Sequence, residues 1–151
     1  MTDIDFFKNV NDTYGHSVGD KVIAAVAKAL SDHLRDSDLL CRYGGEEFCI
    51  VLPGSSEERA MEVAERLRAT IQSSCGDNIL STGKLQVTSS FGVASLKSGA
   101  EDLSELIEAA DFALYTSKQN GRDRVTLWQA DGFALTSESQ GFPENRVHPV
   151  N

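Results

Sequence analysis

The chain has 151 residues, of which 40% are hydrophobic and 25% charged, and 23 acidic against 14 basic residues give a formal net charge of −9. This length can bury one substantial core, and the composition is ordinary for a globular domain. The acidic balance argues against a binder of duplex DNA, which needs a basic face. No apolar run approaches the roughly 20 residues of a membrane span, and no signal peptide is evident.

Hydrophobic periodicity predicts strands and helices that alternate along the chain. In order, we expect a strand end at 1–5, a short helical turn at 5–14, a helix at about 18–34, a hairpin at 39–52, a helix to about residue 73, a strand at 85–93, a helix from Leu103 to the Asn120-Gly121 stop, and a strand at 124–128. This order predicts an α/β (α+β) fold with a mixed, mainly antiparallel sheet flanked by helices. Residues 129–151 lack the pattern and are interpreted as a tail or linker.

The most informative stretch is 42–48, Arg-Tyr-Gly-Gly-Glu-Glu-Phe, which lies between the apolar runs 39–41 and 48–52. A Gly-Gly pair between strand-like runs predicts a tight two-residue turn, because glycine reaches the positive φ that such turns require. The turn places Glu46 and Glu47 at the tip of a hairpin whose arms look buried. The expected cross-strand pairs are Cys41 with Phe48, Cys49 with Leu40, and Arg42 with Glu47.

The chain has three cysteines, Cys41, Cys49 and Cys75, and no CxxC pair. The expected register keeps Cys41 and Cys49 apart. All three are therefore interpreted as buried free thiols in a reducing cytoplasm.

Carboxylates beside a core are costly unless a cation or strong donors meet them. Asp3-Ile4-Asp5 ends the first predicted strand, and the hairpin is its expected neighbour. Acids that converge from two segments at a sheet edge suit metal-assisted nucleotidyl transfer. Adjacent strand residues face opposite ways, so Glu46 and Glu47 are expected to have different partners. The alternatives are solvated strand ends and an exposed Arg42–Glu47 ion pair, worth only about 0.2–1 kcal/mol.

Polar residues around the predicted helices supply further candidates. The amide of Asn11 and the carboxylate of Asp20 match the hydrogen-bonding edge of guanine, although such residues are also ordinary at caps and turns. Lys118 and Arg122 either complement a helix C-terminus or reach a triphosphate, and their spacing does not choose between these roles. His16 is interpreted as a structural hydrogen-bonding residue rather than a base.

Together these stretches resemble the GGDEF family, the diguanylate cyclases, in its Gly-Gly-Glu-Glu-Phe variant. The resembling motifs are residues 1–12, 15–20, 42–48, 90–94 and 110–125, and they cover roughly residues 1–127. Several motifs in register are far more specific than any one of them. The resemblance implies a fold like that of nucleotide cyclases and polymerase palm domains.

The resemblance also implies a role for each matching residue. Two Mg²⁺ or Mn²⁺ ions per active site would be bound by Asp3, the Ile4 carbonyl and Glu46. Asp3, Glu46 and Glu47 would be catalytic, with Glu46 or Glu47 assisting deprotonation of the GTP 3′-hydroxyl. Guanine would be read by Asn11 and Asp20. Phosphates would be held by Phe7, Lys8, Lys118 and Arg122, and Gly44 and Gly45 would let the nucleotide lie close to the hairpin.

A second site is implied at Arg35-Asp36-Ser37-Asp38, which fits the family's Arg-x-x-Asp inhibitory pattern. Arg35 and Asp38 would bind the product, cyclic di-GMP, and Arg66 on the next helix would contribute from the side. The alternative is a local ion pair at the surface.

The resemblance implies that two GTP molecules are joined into cyclic di-GMP with release of two pyrophosphates, and that two domains must face each other as a homodimer. The family's usual segment and helix before the first strand do not occur in the sequence, so residues 1–128 are interpreted as a GGDEF-like catalytic domain without that segment. We expect a cytoplasmic location, as the output domain of a larger sensor protein.

Two other functions remain open from the sequence. One is a non-enzymatic module that binds cyclic di-GMP at Arg35 and Asp38, although such degenerate relatives usually lose the hairpin acids. The other is a palm domain acting on another nucleotide, which the pairing of Asn11 with Asp20 disfavours.

Overall fold

The computed structural model describes residues 1–81 and 83–129. Within them the chain forms five strands and four α-helices. Their bounds are β1 Thr2–Ile4, α1 Phe7–Tyr14, α2 His16–Asp32, β2 Leu39–Arg42, β3 Glu47–Val51, α3 Glu57–Ser74, β4 Ser89–Val93, α4 Leu103–Gln119 and β5 Val125–Leu127. The predicted tail, residues 129–151, lies outside the described residues from position 130 onward.

The five strands form one sheet in the order β2-β3-β1-β4-β5. Only β4 and β5 pair in parallel, and the other three pairs are antiparallel. The predicted mixed, mainly antiparallel α/β architecture is therefore confirmed. The short strand β1 is central, because it pairs with β3 on one side and β4 on the other.

Each face of the sheet has its own apolar cluster, because successive strand residues point to opposite sides. On one face, Ile4, Phe48 and Phe91 pack against buried residues of α2 and α3, including Val26 and Leu67. On the other face a smaller cluster lies beneath α4 and contains Met1, Cys49, Ala110 and Leu114. The helices thus sandwich the sheet and fix the strand ends that carry polar residues.

Two predicted elements differ from the structure in their bounds. Helix α2 begins at His16, two residues earlier than expected, and ends at Asp32. The strand predicted from residue 85 is paired only from Ser89. Leu85 and Val87 are buried as their apolar character suggests, but Leu85 donates its N–H to the Gly76 carbonyl after α3 instead of pairing in the sheet.

The expected register of the hairpin is wrong by one residue. Cys41 faces Cys49 and Arg42 faces Phe48. Tyr43 donates its N–H to the Glu47 carbonyl at 2.8 Å, so three residues, 44–46, form the loop. The Arg42 guanidinium closes this wider turn by donating to the Gly44 and Gly45 carbonyls, and it forms no ion pair with Glu47 among the described residues.

Two further expectations about the hairpin fail because β2 is the edge strand of the sheet. Leu39 is 61% exposed, so the arms are not both buried. Cys41 is likewise exposed, whereas Cys49 and Cys75 are buried as expected. An edge strand has a neighbour on one side only, and here its outer face is left open to solvent.

Gly92 lets β4 lie directly against α4. A Cβ at this position would overlap the Ala110 carbonyl oxygen and the Leu114 nitrogen of the helix backbone. Neither atom can turn away as a side chain would. We predict that Gly92→Ala lowers the free energy of unfolding by about 2–3 kcal/mol through overpacking, measured by urea denaturation.

The matched control is Gly45→Ala, because a Cβ at residue 45 has no neighbour within 4 Å. That change should leave the stability within about 0.5 kcal/mol of the unaltered chain. Equal stability of both variants would show that the helix does not rest on the Gly92 backbone.

Candidate active site

The pairing of β1 with β3 brings the two predicted acidic segments together. Asp3 is the register partner of Glu47, and the Ile4 N–H donates to the Glu46 carbonyl at 3.2 Å. Glu46 lies in the hairpin loop and Glu47 begins β3, so the two adjacent acids occupy different local structures. The predicted convergence of Asp3 with the hairpin acids is therefore present in the fold.

Asp3 is a buried carboxylate with a single cationic partner among the described ion pairs. Its side chain is 10% exposed and accepts from the Lys118 ammonium at 2.7 Å. Burial raises the pKa of Asp3 from 3.8 to about 6. Lys118 opposes that rise, and the nearby charges of Glu46 and Glu47 add to it. Lys118 thus brings one positive charge to an edge that has three carboxyl groups, those of Asp3, Glu46 and Glu47. The remaining negative charge can be neutralised by a further cation.

The donors at this edge are oxygen atoms, which suit a hard divalent cation. They come from Asp3, the Ile4 backbone and the hairpin acids. No cluster of three or more His, Cys, Asp or Glu side chains suited to a metal occurs within residues 1–81 and 83–129. These side chains alone do not complete a metal site, and a bound Mg²⁺ would need water or substrate phosphates as further ligands.

Helix α1 begins directly after this edge. No side chain caps its N-terminus, and its first turn has no acidic residue. The first N–H groups of a helix have no partner within it and favour anions. Phe7 is buried and anchors this end, while Lys8 is exposed beside it.

Asn11 and Gly19 are in direct contact across the α1–α2 corner. A Cβ at residue 19 would overlap the Asn11 carboxamide, so glycine leaves the space that this side chain fills. Asp20 follows at the start of α2 and lines a cavity of about 530 Å³ between α2 and the hairpin, together with Arg42 and Phe48. This cavity is open to solvent and is lined mainly by apolar side chains.

The turn after α4 is held in an uncommon conformation. Gly121, Arg122 and Asp123 all have positive φ, at 109°, 64° and 45°. The Arg122 guanidinium lies 4.4 Å from the centre of the Phe6 ring, and Phe6 itself has a φ of 55°. Non-glycine residues in this region cost free energy, so other contacts must hold the turn.

Those contacts come from residues that the sequence did not single out. The Asp123 carboxylate accepts from Arg68 and Gln72, both at 2.6 Å. The Asp123 N–H donates to Asp5 at 3.1 Å. A motif search could not find Arg68 and Gln72, because only the packing of α3 brings them to this turn.

Asp5 is a structural anchor in the described fold. Besides the Asp123 N–H, its carboxylate accepts hydrogen bonds from Thr88 at 2.8 Å and Ser90 at 2.6 Å. Asp5 is 6% exposed, and these bonds compensate for its loss of water. The alternation of the polar residues Thr88 and Ser90 with apolar ones in the predicted strand 85–93 is the signal that the sequence offered.

The predicted inhibitory residues lie on the loop after α2. The Asp38 carboxylate accepts from the Arg35 backbone N–H at 2.9 Å. Within residues 1–81 and 83–129, the Arg35 guanidinium has no ion pair with Asp38, so the alternative of a local ion pair between these side chains is not formed. Arg66 donates to the His33 carbonyl at 2.9 Å, which places its guanidinium beside the same loop.

The sequence matches a known protein family. The family model described as "Diguanylate cyclase, GGDEF domain" matches residues 1–124. The chain belongs to the GGDEF family. The predicted family is therefore confirmed.

The chain is similar to proteins and structures of the same kind. It is 50% identical to diguanylate cyclase A of Treponema denticola over 128 residues, which are 84% of this chain and 34% of that protein. The active GGEEF domain of a diguanylate cyclase from Vibrio cholerae has a TM-score of 0.76 and 34% identity, covering 85% of this chain and 80% of that one.

The GGDEF domain of DgcB from Caulobacter crescentus, solved in complex with c-di-GMP, has a TM-score of 0.76 and 35% identity, covering 83% of this chain and 74% of that one. The chain spans about a third or less of the length of the first curated relatives it matches. In the portion that the structure describes, no helix combines the length and apolar character needed to cross a bilayer.

The charge of Asp3 should make this GGDEF domain less stable as pH rises. The pKa of Asp3 is higher in the folded chain than its ordinary value of 3.8, so the folded state binds the proton more tightly. Stability therefore falls between about pH 4 and pH 6 and stays lower above. We predict that Asp3→Asn raises the free energy of unfolding at pH 7 by about 1–2 kcal/mol in metal-free buffer, with little gain below pH 4.

Chemical denaturation in EDTA across this pH range measures the effect. Glu108→Gln, an exposed change on α4, is the control and should follow the unaltered chain at every pH. If Asp3→Asn were no more stable at pH 7, the Lys118 contact would fully compensate for the burial of Asp3.

Proposed function

We propose that this GGDEF domain is the catalytic domain of a diguanylate cyclase, which joins two GTP molecules into cyclic di-GMP and releases two pyrophosphates. The observation that carries the proposal is the buried Asp3 carboxylate, paired with Lys118 and opposite Glu47 in the sheet. A group this costly to bury, among further acids, is typical of a functional site rather than a structural one.

The oxygen donors fit two Mg²⁺ or Mn²⁺ ions held by Asp3, the Ile4 carbonyl and Glu46. Such ions would activate the 3′-hydroxyl and stabilise charge on the phosphate oxygens. Glu46 or Glu47 accepts the 3′-hydroxyl proton. The 3′-oxygen then bonds to the α-phosphorus of the second GTP as the bond to pyrophosphate breaks, and the second linkage forms in the same way.

We assign phosphate recognition to two helix ends near this edge, the N-terminus of α1 and the C-terminal end of α4 with the turn that follows it. The uncapped N-terminus of α1 offers backbone N–H groups at Phe7 and Lys8, and the Lys8 side chain adds a positive charge. Lys118 already lies at the carboxylates, and Arg122 is fixed over the Phe6 ring. Holding the triphosphate in one orientation is a large part of what catalysis of phosphoryl transfer requires.

Guanine recognition is assigned to Asn11 and Asp20. Asp20 lines the cavity beside the hairpin, and the contact with Gly19 holds the Asn11 carboxamide at the adjacent corner. An amide and a carboxylate together complement the guanine edge and leave adenine unpaired, which penalises ATP. Because Gly44 and Gly45 have no side chains, the nucleotide can lie close to the hairpin backbone.

Each domain would hold one GTP, so the reaction needs two copies facing each other. Cyclic di-GMP would then inhibit the enzyme at Arg35 and Asp38, with Arg66 at the side. The exposed Arg35 guanidinium has no ion-pair partner among the described residues, while its backbone N–H keeps Asp38 in place. The same observation supports the second candidate function, a receptor that binds cyclic di-GMP without making it.

Turnover of GTP distinguishes these functions. We predict that the chain converts GTP and Mg²⁺ into cyclic di-GMP, that EDTA abolishes the reaction, and that the specific rate rises with chain concentration. Glu46→Gln and Glu47→Gln should each lower the rate by about 100-fold or more, because each removes a ligand or base. Nucleotides resolved by chromatography and mass spectrometry give the rates, with Glu108→Gln as the unaffected control.

If the unaltered chain bound cyclic di-GMP but formed none at any concentration, the receptor function would replace the enzyme. Faster turnover of ATP than of GTP would refute the assignment of Asn11 and Asp20.

Binding of the product tests the second site. We predict that Arg35→Ala weakens the affinity for cyclic di-GMP by about tenfold or more, because charge-assisted hydrogen bonds are lost. Isothermal titration calorimetry measures the affinity. Arg59→Ala on α3, whose partner is Glu62, is the control and should bind as the unaltered chain does. Unchanged affinity in Arg35→Ala would place the product elsewhere.

A further inference from the structure

The observed hairpin register creates a feature that the proposed reaction does not use. Cys41 of β2 and Cys49 of β3 are direct cross-strand partners. Directly opposed residues of an antiparallel pair lie on the same face, with Cα atoms about 4.5–5.5 Å apart. A disulfide needs a Cα separation of about 4.4–6.8 Å, and the spacing typical of directly opposed residues falls within that range.

The two thiols are also neighbours in the sheet. Burial above all, with a smaller contribution from the nearby Cys41, raises the pKa of the Cys49 thiol. Both cysteines are free in the structure. Cys41 is exposed on the edge strand, whereas Cys49 is buried beneath α4. One thiol is therefore open to a reagent in solution, and the other is placed to react with the product of that first step.

We propose that Cys41 and Cys49 are a modification site, which a low-molecular-weight disulfide oxidises reversibly to a cross-strand disulfide. The Cys41 thiolate attacks the reagent, a mixed disulfide forms, and one small thiolate leaves. The Cys49 thiolate then attacks the Cys41 sulfur, the intramolecular S–S bond forms, and the second small thiolate leaves. Two electrons pass from the protein thiols to the reagent, and an excess of small thiol reverses both steps.

The site lies next to the candidate catalytic edge. Cys49 is two residues along β3 from Glu47 and faces the same side of the sheet. The cross-link would join β2 to β3 two residue pairs away from the loop that carries Glu46. Its main effect would be on opening of the hairpin, because β2 is an edge strand held on one side only.

The test uses the full chain equilibrated in mixtures of reduced glutathione and glutathione disulfide, then trapped with acid and an alkylating reagent. We expect the oxidised chain to carry one alkyl label and the reduced chain three, with the bond mapped to Cys41 and Cys49 by peptide mass spectrometry. Cys75, which is buried and has no cysteine opposite it, is the internal control and should stay alkylatable.

Preorganisation by the sheet gives the decisive comparison. Because the fold holds the thiols together, the disulfide should be more stable in the native chain than in the chain unfolded by urea. The ratio of reduced glutathione to glutathione disulfide at which half of the chain is oxidised should therefore be higher for the native chain, by about tenfold or more. In Cys49→Ser, Cys41 should stop at the mixed disulfide with glutathione. In Cys75→Ser, the intramolecular bond should form as before.

Two results would overturn the proposal. One is a native chain that accumulates the glutathione mixed disulfide at Cys41 with no Cys41–Cys49 bond. The other is an equal half-oxidation ratio in native and urea-unfolded chain, since the fold would then contribute nothing. Slower amide exchange at Tyr43 and Gly44 in the oxidised chain would support the expected effect on hairpin opening, and unchanged exchange would refute that effect.

Discussion

The fold depends on keeping a three-residue strand in the middle of its sheet, although that strand carries one acid at its centre, Asp3, and is followed directly by another, Asp5. Strand β1 has hydrogen-bonded neighbours on both sides, so Asp3 and Asp5 cannot move out into water without breaking the sheet. Each carboxylate must be stabilised where it is. Asp5 is met by two hydroxyl groups and a backbone N–H, and Asp3 by one ammonium group. The different partners distinguish a structural acid, Asp5, from the acid that we propose to be catalytic, Asp3.

The same constraint explains why the turn after α4 is so well held. The N–H of Asp123 reaches the Asp5 carboxylate, while the Asp123 side chain is fixed from α3 by Arg68 and Gln72. The positive φ of Arg122 is compatible with the fold only because both sides of the turn are tied down. The central strand, helix α3 and the last turn therefore form one connected polar network, and the cation of Arg122 stands at its surface.

The sequence predicted the element order, the mixed sheet and the family, because hydrophobic periodicity and several motifs in register are strong local signals. It predicted the meeting of Asp3 with the hairpin acids, since β1 and β3 were expected to be neighbours. It did not predict the pairing of Cys41 with Cys49. A loop of three residues replaces the two-residue turn, and the hydrogen bonds from the Arg42 side chain that support it cannot be read from periodicity. The hydrogen bonds of Asp123 could not be predicted from the sequence either, because they depend on how α3 packs against a turn that is distant in the chain.

Gly92 has a consequence for the way the site keeps its dimensions. Helix α4 rests on the main chain of β4 at this glycine, and Lys118 stands one turn further along the same helix. The position of the Lys118 ammonium group relative to Asp3 therefore depends in part on a direct contact between two backbones. In this sense the spacing between cation and carboxylate is a property of the chain path.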